Sequence, residues 1–176
     1  MNKKLIAISL CLIMPLAAFA TTGLYVGLNT YYASVIRPAD IVALDTSGLN
    51  FADFAFGAET RFIIDPFWAS AIGLYSPGDL TLPHQIDILL DAGLGLTLGI
   101  VHVGIGIGPN FGVEFGNGAT QFLRTGANLR LTGDIVIGPL LLGLNWISEV
   151  EFTRDSIIEA FKNPYGKIGI SCLFGF

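Results

Sequence analysis

Residues 167–176 read KIGISCLFGF, and the alternation in that stretch decides the fold. Ile168, Ile170, Cys172, Phe174 and Phe176 fall on one side of an extended chain, and Lys167, Gly169, Ser171, Leu173 and Gly175 on the other, because successive side chains of a strand point to opposite faces. A sheet in water would bury the bulky side. In a membrane β-barrel the order inverts, so that bulky residues meet lipid and the small or polar side lines the interior.

The other end of the chain bears on where such a strand would be delivered. Lys3 and Lys4, the apolar stretch 5–16 and the run Ala18-Phe19-Ala20 have the order of an n-region, h-region and A-x-A cleavage site, which predicts a secretory signal peptide over residues 1–20. The apolar run is shorter than the ~20 residues that a spanning helix needs. A lipoprotein site at Cys11 is disfavoured because Leu10 before it is not small and the cysteine lies inside the apolar stretch. Residues 21–176 then form one barrel domain. This domain is more acidic than the whole-chain net charge of -5, because Lys3 and Lys4 leave with the leader. It has no basic surplus to hold phosphates, so no nucleic-acid partner is expected. Cys172 is the one remaining cysteine, which excludes an intramolecular disulfide framework.

Hydrophobic residues make up 52% of the chain and charged residues 13%, against ~25% charged in ordinary soluble domains. A helical membrane span does not account for this. The most apolar stretch, 86–107, carries Asp87, Asp91 and His102 together with glycines at 93, 95, 99, 104 and 106, and both features penalise an inserted helix.

Alternation with a period of two recurs along the chain and gives eight predicted strands. In the first, about 23–34, Leu24, Val26, Leu28, Thr30 and Tyr32 oppose Tyr25, Gly27, Asn29 and Tyr31; in the second, about 51–64, Ala52, Phe54, Phe56, Ala58, Phe62 and Ile64 oppose Asp53, Gly57, Glu59 and Arg61. A turn at Asp65-Pro66 leads into the third, about 67–75, where Phe67 and Trp68 compete for the lipid side. The fourth, 85–97, sends out Ile86, Ile88, Leu90, Ala92, Leu94 and Leu96. After a turn at Leu98-Gly99 the fifth sends out Val101, Val103, Ile105, Ile107, Phe111 and Val113, and turns His102, Gly104, Gly106, Gly108, Asn110, Gly112 and Glu114 inward. The sixth, about 121–136, opposes Leu123, Ala127, Leu129, Leu131 and Ile135 to Arg124, Asn128, Arg130, Thr132 and Asp134. Gly138-Pro139 turns the chain into the seventh, where Leu140, Leu142, Leu144, Trp146, Val150 and Phe152 oppose Gly143, Asn145, Glu149 and Glu151. The eighth is residues 167–176.

These strands specify an all-β chain: an eight-stranded antiparallel transmembrane up-and-down barrel. Lipid offers an edge strand no hydrogen-bond partners, so the eighth strand must pair with the first. An even strand number brings both termini to one side, expected to be periplasmic, where the connections at 65–66, 98–99 and 137–139 are short. The connections at about 35–50, 76–84, 115–120 and 153–164 are then extracellular. Tyr32, Phe54, Phe111 and Phe152 are expected towards the outer rim, and Phe62, Trp68, Phe174 and Phe176 towards the inner one. The predicted lumen charges are Asp53, Glu59, Arg61, Asp87, Asp91, Glu114, Arg124, Arg130, Asp134, Glu149, Glu151 and Lys167. A soluble β-sandwich, in which the aliphatic faces pack on each other, remains the competing architecture.

Signal peptide, eight alternating strands, short inner turns and the terminal Phe176 together resemble the small eight-stranded outer-membrane barrels, the class of OmpX, OmpW and the OmpA transmembrane domain. The resemblance implies an address in the bacterial outer membrane, contact with its lipid and lipopolysaccharide, and recognition by the barrel-assembly machinery. By that resemblance Ile168, Ile170, Phe174 and Phe176 would serve as the assembly signal.

Three activities fit such a barrel. The first is a structural or surface-interaction role through the outer connections, with a ligand that the sequence does not specify. An OmpW-like conduit is the alternative. It would prefer cations, because inward carboxylates outnumber inward bases, and the glycines at 104, 106, 108 and 112 would either leave it room or receive large neighbours such as Tyr25, Tyr31 or the arginines. A lipid A-modifying enzyme is the remote third, resting on His84 near Ser76 or Asp79 without the His-x-Ser pattern of the deacylases. The chain is therefore expected not to be an enzyme. No catalytic, cofactor-binding or metal-ligating residue is assigned, and the run 104–108, GIGIG, lacks the spacing and following helix of a dinucleotide loop.

Overall fold

A computed structural model describes residues 22–36, 53–78, 83–116, 121–151 and 166–176, with side chains throughout except at 33–36, 121–124 and 151. It contains β1 (Thr22–Ile36), β2 (Phe54–Ile64), β3 (Phe67–Ser76), β4 (His84–Leu98), β5 (Val101–Phe115), β6 (Gln121–Ile137), β7 (Leu140–Glu151) and β8 (Gly166–Gly175). Each strand pairs antiparallel with its neighbour in sequence, and β8 returns to β1, closing the ring. The predicted leader, the predicted outer-rim Phe152 and most of the long connections lie outside the described residues.

Three hairpins at one end are tight, with two residues between β2 and β3, β4 and β5, and β6 and β7. Gly99 and Gly138 adopt φ of 65° and 58°, a left-handed conformation that glycine enters without a Cβ clash. The tight turns also reach sideways: the carbonyls of Pro66, Ile100 and Pro139 accept from the amides of Gly95, Val136 and Gly175 at 2.6 to 2.7 Å. At the same end the Phe176 amide donates to Leu24 at 2.9 Å.

Residues directly opposed in an antiparallel ladder share a face, so the register carries one alternation right round the ring. Leu28, which is 70% exposed, pairs with Ala58 on one side and Cys172 on the other, and Cys172 pairs with Leu142. Among the described side chains, no Asp, Glu, Lys or Arg of a strand lies on this outward face. Aliphatic rows such as Ile86 to Leu98 on β4 and Val101 to Ile107 on β5 cover it instead, which is the surface that hydrocarbon stabilises and water does not.

The third strand faces oppositely to one of the two expectations. Phe67 is 63% exposed and Trp68 only 3%, so Trp68 belongs to the interior and not to the inner-rim aromatics. The turn accounts for this: with two residues in the hairpin, Phe67 pairs with Ile64 and must share its outward face, which sends Trp68 inward.

Apolar side chains also fill much of the interior. Tyr25, Ile63, Trp68, Leu141 and Leu173 form a buried cluster near the tight-turn end. Tyr31, Ala55, Ile72, Leu74, Leu89 and Ile147 form a second one nearer the other end. The inward face is thus layered, apolar, then charged, then apolar, where a uniformly small or polar lining was expected.

Candidate functional site

Between the two apolar layers lies an ion network supplied by strands from around the ring. Arg61 on β2 donates from Nε to Glu59 Oε1 at 2.7 Å and from Nη1 to Asp134 Oδ2 at 2.7 Å, with a further bond to Thr132 Oγ1 at 3.2 Å. Arg130 on β6 donates to Glu59 Oε2 at 3.0 Å, to Ser70 Oγ at 2.9 Å and to Asn145 Oδ1 at 2.7 Å. Its Nη1 also stands 3.6 Å from Asp91 Oδ2, which accepts from Ser70 Oγ at 3.1 Å. Asp134 is held on its other sides by the Thr132 hydroxyl at 2.8 Å and by His102 Nδ1 at 2.9 Å.

Glu59, Arg61, Arg130, Asp134 and His102 are all at most 1% exposed. Charges so far from water persist only when paired and hydrogen-bonded, and loss of one partner costs about 3–5 kcal/mol. Each guanidinium here meets both carboxylates and neutral acceptors, so the five-donor fork of arginine is largely used.

Trp68 joins this network to the layer below. Arg61 and Arg130 place their guanidinium carbons 5.8 and 5.6 Å from its ring centroid, within cation–π range, and its indole N–H donates to the Leu94 carbonyl at 3.2 Å. The ring occupies the space over β5 that glycines leave open. A Cβ on Gly104 would stand 2.7 Å from the indole nitrogen, and one on Gly106 would stand 2.6 Å from the six-membered ring. Those two glycines therefore receive a large neighbour, and that neighbour is Trp68, which was not among the residues anticipated for the role. Tyr31 and Tyr25 do fill the space over Gly169 and Gly175 on β8.

Above the second apolar layer, Lys167 reaches from β8 to Glu149 Oε1 at 2.8 Å and to Asp87 Oδ2 at 3.7 Å. Gln85 donates to the other oxygen of Asp87 at 2.7 Å. Since β4 and β8 are four strands apart on an eight-strand ring, the Lys167–Asp87 contact spans the mouth.

Of the twelve predicted lumen charges, Glu59, Arg61, Asp91, Arg130 and Asp134 thus meet in one network, and Asp87, Glu149 and Lys167 in a second. Asp53 and Glu114 are half-buried at the same end as the second group, and the side chains of Arg124 and Glu151 are outside the described set. His84, the base of the remote enzymatic reading, lies on the outward face with its Nδ1 engaged by Tyr75 and Gly78. Among the described residues no group of His, Cys, Asp or Glu is arranged to hold a metal ion.

The closed eight-stranded ring, with aliphatic side chains outside and filled layers inside, is the fold of the small outer-membrane barrels. Among solved structures, the crystal structure of Neisserial surface protein A is similar, with a TM-score of 0.51 over 88% of this chain and 98% of that one, at 13% sequence identity. At that identity the likeness concerns the fold. No protein-family model and no curated sequence matches the chain.

Proposed function

We propose that this protein is an integral outer-membrane barrel with periplasmic termini, acting through the segments that join its strands at the end opposite the tight turns and not by conduction. The filled interior carries this reading. Two apolar layers and a paired ion network occupy a lumen that, in an eight-stranded barrel, is only about wide enough for side chains. The outer wall, without Asp, Glu, Lys or Arg among the described side chains, and the predicted leader support the address. The joining segments that include residues 37–52 and 152–165 are long enough to carry recognition. On the same reading the surrounding partners are membrane lipid and lipopolysaccharide, and the assembly machinery would meet Ile168, Ile170, Phe174 and Phe176.

Planar-bilayer recording of the refolded protein tests the choice between scaffold and conduit. No stable conductance step is expected, whereas shortening residues 37–52 or 152–165 should abolish surface binding and leave heat-modifiable folding intact. A reproducible, cation-preferring step would establish the conduit instead.

A further inference from the structure

The outward ends of β3, β4 and β5 carry a stacked group that neither the interior nor the lipid wall explains. The His84 ring lies against Tyr75 with centroids 5.9 Å apart and 12° between planes, and against Phe115 at 5.4 Å and 21°. Its Nδ1 is 3.0 Å from the Gly78 amide nitrogen and 2.8 Å from Tyr75 Oη. A backbone amide can only donate, so Nδ1 is the acceptor, and the Tyr75 hydroxyl shares the same lone pair as a second donor. The neutral imidazole therefore carries its proton on Nε2. Two flanking rings and two donors hold the plane, so this N–H keeps one direction at the surface of the barrel.

Its height identifies what it meets. On β4 the outward residues from Leu98 to Ile86 are unbroken apolar, and at about 3.4 Å per residue and a tilt of ~35–45° they span roughly 30 Å along the membrane normal, the thickness of the hydrocarbon core. His84 stands two residues further, about 5 Å higher, within the headgroup layer that adds roughly 5–7 Å on each side.

We propose that the His84 Nε2–H is a fixed donor to a phosphate oxygen of a membrane lipid headgroup, with the Tyr75 and Phe115 rings packed on the first methylenes of its acyl chains. This rests on the membrane-barrel reading.

The test is solid-state NMR of the full chain, labelled with 15N-histidine and reconstituted in dimyristoylphosphatidylglycerol liposomes. The chain has two histidines, and His102 is buried in the interior, so it serves as an internal control. An Nε2-protonated His84 whose 15N signal is dephased by lipid 31P is expected, with no dephasing at His102 and loss of the effect in His84→Phe, which keeps the stack. Absence of dephasing in a barrel that is protease-protected and heat-modifiable would overturn the headgroup contact and leave the membrane barrel standing. Failure to insert at all would overturn both. Equal dephasing by inorganic phosphate in phosphate-free detergent micelles would make this a general anion site and overturn the lipid assignment.

Discussion

The side-chain amide of Asn128 donates to the carbonyl oxygen of Pro109 at 3.2 Å, and the same nitrogen reaches the Leu90 carbonyl, two strands away, at 3.3 Å. Proline has no amide hydrogen to offer the ladder. The β4–β5 pairing passes from Leu89–Asn110 to Ala92–Ile107 without pairs at Leu90 and Asp91. Gly108 lets the two strands close on each other there, since a Cβ on it would run into the Leu90 carbonyl. Asn128 thus supplies from β6 a donor that Pro109 lacks.

Asn128→Ala is expected to lower stability by about 1–3 kcal/mol, the cost of leaving buried carbonyls without a donor. Adding Pro109→Ala should recover part of the loss, because it restores an amide to the wall. Urea midpoints in phospholipid vesicles measure both. Equal loss in the single and double variants would show that Asn128 acts by packing alone.

Gly106→Ala would bring a methyl group to 2.6 Å from the Trp68 ring. Such overpacking costs about 1–3 kcal/mol, and the displaced indole should change its fluorescence when Trp146→Phe removes the other tryptophan. Combining Gly106→Ala with Trp68→Leu should relieve the strain. If the alanine variant keeps wild-type emission and midpoint, Trp68 is not held over that glycine.

The fate of Trp68 illustrates what could be read from the chain and what could not. Alternation is legible wherever one face carries charge, as in Asp53, Glu59 and Arg61 against Phe54, Phe56 and Phe62, because a barrel in lipid requires that segregation. Ile63, Ile72, Leu74, Leu89, Leu141, Ile147 and Leu173 are buried inside, yet they are chemically the same as residues on the outer wall, so composition does not announce the apolar layers. The facing of β3 was available from the two-residue turn, once Ile64 was placed outward. The pairing of Glu59 with Arg130, 71 residues apart, was not, because it depends on how far the strands are staggered when the ring closes.

The central network holds two guanidiniums against the three carboxylates of Glu59, Asp91 and Asp134. Arg61→Met leaves Glu59 and Asp134 buried with one arginine fewer and is expected to cost about 3–5 kcal/mol. Asp91→Asn leaves two guanidiniums against two carboxylates and still accepts from Ser70, so its cost should be far smaller. Denaturant midpoints of the two variants decide this, and a loss from Asp91→Asn as large as that from Arg61→Met would refute the charge count.

Closure of the ring is keyed from the inside at the seam. Tyr31 pairs with Gly169 and Tyr25 with Gly175 across β1 and β8. A Cβ on Gly169 would run into the Tyr31 ring and stand 2.6 Å from the Thr30 carbonyl, so Gly169→Ala forces a backbone shift where the first and last strands must find their register. Gly133 lies on the outward wall with nothing within 4 Å of such a Cβ, and Gly133→Ala should be neutral. Phe176, 83% exposed, contributes its backbone to the seam through the Leu24 carbonyl and packs its ring edge-on against Phe174. In refolding followed by heat-modifiable migration, Gly169→Ala should therefore reduce the folded fraction several-fold, while Phe176→Ala should refold in vesicles much as the wild type does. Loss of assembly in cells by Phe176→Ala alone would then assign that side chain to recognition and not to closure. A Gly169→Ala variant that refolds like Gly133→Ala would show that the seam is not keyed by the tyrosine.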